Sequence, residues 1–226
     1  MIRTLAQATR WVDKVGLALL FPKADVVLPS LWEQVSGLGH TDWNAEEINF
    51  LWWAKDVLAD EGRVCVGKHL ARSAACIAPR LLPTLVAANS EPMDDDPVVD
   101  AIRTAGPLTG PQVRELTGLA KKDVDRSIAR AHHALVLTNA FLVEEGSTWG
   151  TLAHDLLARK WKVPKRLAPR ADARRELAGL VLQQAGELTA ADLGGVFGWR
   201  RKEADAILAE VGDGRDADGF TIYAPR

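Results

Sequence analysis

The sequence predicts an α+β fold, predominantly helical, and three observations carry that expectation. One stretch of helix signals is used twice, each copy turns on a central glycine, and short apolar runs flank polar tips in the manner of small hairpins. The first copy, Ala105 to Ile128, reads AGPLTGPQVRELTGLAKKDVDRSI. The second, Ala185 to Leu208, reads AGELTAADLGGVFGWRRKEADAIL, eighty positions later. Gly106/Gly186, Leu108/Leu188, Thr109/Thr189, Gly118/Gly198, Lys122/Lys202 and Asp125/Asp205 coincide in register. Each copy reads as helix, short extended Leu, helix, Gly turn and helix, which is the helix-turn-helix core of a winged helix. The expected architecture is therefore tandem winged-helix domains with small β-hairpin wings. Residues 1–93 form an N-terminal helix and hairpin region, residues 94–164 the first winged helix and residues 165–226 the second.

Along the chain, Ile2, Leu5, Ala8, Val12 and Val15 fall at helical spacing and predict a first helix ending near Gly16. Leu17 to Phe21 is a short extended segment stopped by Pro22, and Ser30 precedes a helix start at Leu31-Trp32. Asn44 is expected to cap a strong helix that Gly62 ends. Arg63–Val66 and Ala74–Ile77 then read as strands around a polar tip holding Lys68, His69 and Arg72. That helix and hairpin follow a degenerate winged-helix pattern, although no register match ties them to the repeat. Asn89 to Asp96, NSEPMDDD, is the clearest linker. Asp96-Pro97 suits a helix start. Thr109 with Gln112 reads as a capping box, and Thr189 with Asp192 as its counterpart. Leu135–Val143 and Trp149–Ala153 are the expected wing strands of the first copy, joined across Glu144 to Ser147.

With 226 residues the chain suits two to three small domains better than one large one. Its net charge of −2 makes the whole molecule no obvious polyanion binder, so any nucleic-acid surface is local. Cys65 and Cys76 lack metal spacing, and two reduced thiols are expected. The apolar run Val15–Phe21 is too short for a signal peptide or a membrane span, which points to the cytoplasm. One electrostatic feature stands out. Arg159 to Arg175, RKWKVPKRLAPRADARR, holds eight basic residues and one acid, a net +7 that leaves −9 for the rest.

In a DNA-binding helix-turn-helix the last helix enters the major groove while its neighbours hold phosphates. On the third helix of the first copy, Val124, Ile128, Ala131 and Leu135 make the buried stripe. Lys122, Arg126, Ala129 and His133 face outward, with Lys121 and Arg130 on the flanks and Asp123 and Asp125 reducing the local charge to +2. The candidate DNA contacts are thus Lys121, Lys122, Arg126, Arg130 and His133, joined by Arg159, Lys160, Lys162, Lys165 and Arg166 of the basic bridge. An ordinary solvated helix face is the competing reading of the first group, and a solvated linker that of the second. Trp149 and Trp161 are candidates for stacking on bases, against the commoner role of a core tryptophan. In the second copy Lys202, Asp205, Ala206 and Ala209 face outward, which suits packing better than phosphate binding. No phosphate loop, nucleophile elbow or metal spacing is present, so no catalytic residue, cofactor or metal is assigned. His132 and His133 point apart on their helix. His154-Asp155 reads as a lone pair after the wing, with a surface hydrogen bond or a packing role rather than acid-base chemistry.

Three segments carry a family likeness: VGLALLFPKADVVLPSLWE (Val15–Glu33), WWAKDVLADEGRVCVGKHLARSAACIAPRLLP (Trp52–Pro83) and WGTLAHDLLARKWKVP (Trp149–Pro164). They resemble the AlkZ-related winged-helix proteins, small bacterial relatives of the AlkZ-type DNA glycosylases. The resemblance spans about Val15 to Val211 and implies a tandem winged-helix fold that binds double-stranded DNA. Those glycosylases excise alkylated bases with a Gln-x-Gln or Gln-x-Asp pair that positions water. Gln7, Gln34 and Gln112 are isolated here, and Gln183-Gln184 has no intervening residue, so no catalytic residue carries over. The leading expectation is a non-catalytic DNA-binding protein linked to repair or regulation. A DNA glycosylase with another water-positioning group and a protein-interaction module are the alternatives, and the oligomeric state stays open.

Overall fold

The same order of elements is laid down three times. The structure, a computed structural model, describes residues 1–143, 151–217 and 220–226. The N-terminal unit runs α1 (Leu5–Val15), β1 (Leu17–Leu19), α2 (Leu31–Ser36), α3 (Glu47–Asp60), β2 (Cys65–Leu70) and β3 (Ser73–Ile77). A 3-10 turn (Pro79–Leu81) leads into a linking helix, α4 (Leu82–Asn89). The central unit is α5 (Pro97–Ala105), β4 (Leu108–Thr109), α6 (Gly110–Thr117), α7 (Lys121–His133), β5 (Leu137–Val143) and β6 (Thr151–Leu156). After α8 (Leu157–Trp161) comes the C-terminal unit: α9 (Arg170–Ala185), β7 (Leu188–Thr189), α10 (Ala190–Phe197), α11 (Arg201–Val211), β8 (Gly212–Ala217) and β9 (Phe220–Pro225). Each unit closes a three-stranded antiparallel sheet with its last strand in the middle, in the orders β1-β3-β2, β4-β6-β5 and β7-β9-β8. The fold is mixed, mainly helical, with small antiparallel sheets. Among the described residues no helix is long and apolar enough to cross a membrane.

Local chemistry accounts for the repetition. Thr109 with Gln112 and Thr189 with Asp192 form reciprocal capping boxes at α6 and α10, as expected. Thr4 with Gln7 and Ser30 with Glu33 do the same at α1 and α2. Each cap satisfies backbone N–H groups that the helix itself leaves unpaired, contributing about 1 kcal/mol. Gly118 and Gly198 follow their helices at φ 69° and 78°, a left-handed conformation that costs a side chain strain. Asn44 does not cap α3. Its N–H is held by Asp42 Oδ1 at 2.9 Å, and that local turn delays the helix to Glu47.

The N-terminal sheet is a middle layer, and its strand alternation shows why. Leu17, Leu19, Ala75, Ile77 and Cys65 point to one face, where Leu82 and Leu85 of α4 meet Leu177, Val181 and Leu182 of α9. Ala18, Leu20, Cys76 and Val66 point to the other, onto Val12, Trp32, Leu51 and Leu58 of the unit's own helices. One apolar core therefore runs through the N-terminal and C-terminal units. The central unit keeps a separate core of Val98, Val99, Ile102, Val113, Val124 and Leu137. It leans on the N-terminal unit through α7 and β5, which lie against β2 and α3. The tip between β2 and β3 is smaller than expected: only Ala71 and Arg72 turn, both at positive φ. His69, expected at that tip, is buried inside the strand pair because β2 extends to Leu70.

Candidate functional site

Between the N-terminal and central units lies a cavity of about 770 Å³, within the range of small-ligand sites. Its N-terminal wall is aromatic. Phe21, after β1, sits 5.0 Å from Trp43 and 5.5 Å from Trp52, ring centre to ring centre, and the two tryptophans stack at 6.2 Å. Trp43 is 59% exposed although it belongs to this cluster, so a large apolar face is left open to a visitor. The Lys55 ammonium lies 4.8 Å over the Trp52 ring. The opposite wall comes from Gly110, Pro111 and Arg114 of α6 and from Lys121, Asp125 and Ala129 of α7. Lys55, Lys68, Arg114 and Lys121 face one carboxylate, Asp125, among the described lining residues, so the mouth is basic.

The floor is made by β2 and two histidines, His132 of α7 and His154 of β6. His132 Nε2 and His154 Nδ1 are 3.1 Å apart, and His132 Nδ1 accepts from the Lys68 N–H at 3.2 Å. His69 stacks on His132 at 5.2 Å and donates from Nδ1 to the His132 carbonyl at 2.7 Å. Its Nε2 lies 3.4 Å from Thr138 Oγ1 and 3.6 Å from Cys65 Sγ. Burial pushes the His69 and His154 imidazoles down to about 4, with the nearby charges of His133 and Lys68 respectively adding to it. His132 falls well below its ordinary value, again by burial first and then by His69, His154 and Lys68. All three are neutral at pH 7. Gly67 makes room for them: a Cβ there would stand 2.4 Å from His69 Nε2 and 2.7 Å from His132 Nδ1. Both cysteines are free thiols, pushed up to about 12 by burial. Among the described residues no group of three or more His, Cys, Asp and Glu side chains can hold a metal ion.

A family model described as AlkZ related matches residues 2–145, well over half of the chain and the whole of both walls up to β5. The chain belongs to the AlkZ-related family. Its backbone is similar to that of Streptomyces sahachiroi DNA glycosylase AlkZ, with a TM-score of 0.54 at 12% identity. That likeness covers 96% of this chain and 64% of the glycosylase, so the chain spans under two thirds of that protein's length. No curated protein matches it in sequence.

In this AlkZ-related chain the sequence-derived candidates fall into three places. Lys121, Lys122 and Arg126 lie exposed on the first two turns of α7, with Lys121 paired to Asp125 at 2.6 Å and Arg126 to Asp123 at 3.0 Å. Their side chains keep 72% and 65% exposure for Lys121 and Arg126, so both pairs are open to exchange for phosphate. Arg130 pairs with the buried Asp96 while its own side chain stays 68% exposed, and Asp96 also accepts from Ser127 Oγ at 2.6 Å and caps α5. Burial pushes the Asp96 carboxyl up, but the hydrogen bonds from Ser127, Arg130 and the Val99 and Val98 N–H groups outweigh it and hold the carboxyl below its usual value. His133 is half-buried beside Gly198 of the C-terminal unit.

The basic bridge is largely consumed within the AlkZ-related fold. Arg159 pairs with Asp155 and donates to the carbonyls of Ile102 and Arg103. Lys160 donates to the Ala140 carbonyl, and burial lowers its pKa. Arg170 donates to the Ser90 carbonyl, Arg174 pairs with Glu203, and Arg175 pairs with Asp172 and Glu210. Lys162, Lys165 and Arg166 remain exposed, with no ion pair among the described residues. Trp161 is half-buried against the shared core, whereas Trp149 lies outside the described residues. Asp155 is buried rather than superficial, and His154 is drawn to His132. The histidine cluster is not legible in the sequence because its members come from two units, and the aromatic wall because Phe21, Trp43 and Trp52 lie on separate segments of the N-terminal unit. The available signal was the density of Trp and Phe between Phe21 and Trp53, which no helical period explains.

Proposed function

We propose that this chain is a tandem winged-helix DNA-binding protein, linked to DNA repair or its regulation, that recognises DNA at the cleft between its first two units without excising a base. In this reading all three units are winged helices, divided at residues 1–93, 94–164 and 165–226, and α7 is the helix presented to the duplex. The observation that carries it is Lys121 of α7 at an aromatic-walled, basic cavity, with Lys122 and Arg126 exposed on the same two helical turns. Cations beside an aromatic platform are what nucleic acid needs: phosphate is held by charge, and an unstacked base gains about 1–3 kcal/mol on an aromatic face. The first turn of α7 has no side-chain cap, and the Asp123 N–H is bonded to the Ala120 carbonyl at 3.0 Å. The N–H groups of Lys121 and Lys122 have no backbone partner among the described residues and can meet phosphate as well. Lys162, Lys165 and Arg166 extend the basic surface. Lys122 and Arg126 are exposed, whereas a module in which these helices only pack would cover them.

Excision is the second reading, favoured by the likeness to a DNA glycosylase. Recognition alone is preferred because the described lining residues offer a single carboxylate, Asp125, which is 53% exposed and has no second carboxylate or glutamine beside it in the lining to position water. Fluorescence anisotropy with a labelled duplex across a salt series tests binding: affinity is expected to fall steeply with salt, and no binding even at low salt would overturn the proposal. Free-base release from alkylated DNA is expected to stay at the uncatalysed level, and turnover would favour excision.

A further inference from the structure

The hydrogen bonds on the cavity floor have a forced direction. The Lys68 N–H can only donate, so His132 Nδ1 is an unprotonated acceptor. A neutral His132 then carries its proton on Nε2 and donates it to His154 Nδ1 at 3.1 Å. His154, also neutral, is left with its proton on Nε2. That nitrogen has no protein partner among the described residues, and the ring lines the cavity. The chain of bonds thus ends in a fixed N–H donor on a ring that lines the same cavity as the aromatic wall. His69 is fixed the other way: the His132 carbonyl can only accept, so His69 is protonated on Nδ1. The cavity's charge adds a second restriction. Lys55 is paired with Asp56 at 2.5 Å and Lys121 with Asp125, which leaves Lys68 and Arg114 as lining cations without an ion pair among the described residues. That net positive lining disfavours a positively charged guest.

We infer that the cavity takes an uncharged, flat heteroaromatic ring bearing a hydrogen-bond acceptor, laid on Phe21, Trp43 and Trp52 and met at its edge by the Nε2–H of His154. The inference rests on the reading that this cleft receives an unstacked base and narrows which ring edges it accepts. His154 is the contact residue, and His132 is a positioning residue that sets its tautomer. A guest without an acceptor would leave the donor unsatisfied, which is how a site built on one hydrogen bond discriminates.

The test uses the full chain and three small probes of nearly one outline: quinoline, which carries a neutral acceptor nitrogen; naphthalene, which carries none; and N-methylquinolinium, a cation. Two-bond 1H–15N spectra at pH 7.5 should show His154 protonated on Nε2 and His69 on Nδ1. Titrations read on the tryptophan indole signals should show quinoline binding about 2- to 10-fold more tightly than naphthalene, as one hydrogen bond allows, and N-methylquinolinium binding most weakly. His154→Phe should erase the preference for quinoline. His132→Gln, which keeps one acceptor and one donor, should retain both the preference and the Nε2–H signature, and His132→Leu should lose both. Equal binding of quinoline and naphthalene, no binding of any ring, or a His154 proton on Nδ1 would overturn the inference. The spectra of the unsubstituted chain decide the tautomer even where a variant fails to fold. Duplex binding without the ring preference overturns this inference alone, whereas ring preference without duplex binding overturns the proposed function.

Discussion

The N-terminal unit meets its two neighbours in opposite ways. Against the C-terminal unit it buries an apolar layer, in which Leu17, Leu19, Leu82 and Leu85 interleave with Leu177, Val181, Leu182 and Phe197. That layer is edged by hydrogen bonds such as Ala71 N–H to the Val196 carbonyl at 2.8 Å and Trp199 Nε1–H to Asn89 Oδ1 at 2.6 Å. Against the central unit it sets His69 and the Cys65 thiol beside that unit's Thr138, His132 and His154, with an open cavity next to them. The first junction is what a chain makes when two units must not move apart. The second retains polar groups that cost desolvation unless they are hydrogen-bonded. A polar junction next to a cavity suits a ligand better than a mainly apolar one.

The sharpest way to break the contrast is to hollow out the apolar side. Leu182→Ala is expected to lose about 2–5 kcal/mol of stability in chemical denaturation, while the surviving folded fraction keeps its duplex affinity. Acid acts on the polar side. His69 has a folded pKa depressed to about 4, so the folded state binds fewer protons than the unfolded state below about pH 6.5. Stability is complete above pH 6.5 and declines as pH falls toward 4, by about 3 kcal/mol for this histidine. A denaturation series from pH 7.5 to 4, compared with His69→Gln, should show the slope and its reduction. Gly67→Ala drives a methyl group into His69 and His132 and should cost about 1–3 kcal/mol, with the His154 tautomer signal lost in the same protein. Trp43→Ala removes an exposed stacking face; duplex affinity should drop by about 1–3 kcal/mol with little change in midpoint. Lys122→Ala should have the smallest effect, lowering the magnitude of the salt slope of duplex binding by about 1, and Lys202→Ala, its counterpart in α11, should leave that slope unchanged.

Much of the scaffold was legible from the residues because its signals are local. The caps Thr109/Gln112 and Thr189/Asp192, the turns at Gly118 and Gly198 and the buried stripe Val124, Ile128, Ala131 act within one helix or its ends. Neither α4 nor α8 was anticipated, since their faces acquire a core only from neighbouring units. Long-range partners account for the remaining differences. His69 and His132 lie 63 positions apart in the chain, and nothing periodic joins them. The partners of the basic bridge are mostly remote: Ile102, Glu203 and Glu210 lie 29 or more positions from the residues they meet, and Ala140 lies 20. The difference between the two third helices was visible in sequence and persists in space. Both are exposed on their outer faces, but Asp205 of α11 is engaged by the Tyr223 hydroxyl at 2.8 Å, while α7 borders the cavity.

Hydrogen–deuterium exchange of the chain with and without a saturating duplex at low salt tests the central claim, that α7 and the cavity beside it form the DNA-facing surface. The account predicts added protection at the first turns of α7 and around Trp43 to Lys55, with α11 unchanged. Protection confined to α11, or none under conditions of demonstrated binding, would contradict it.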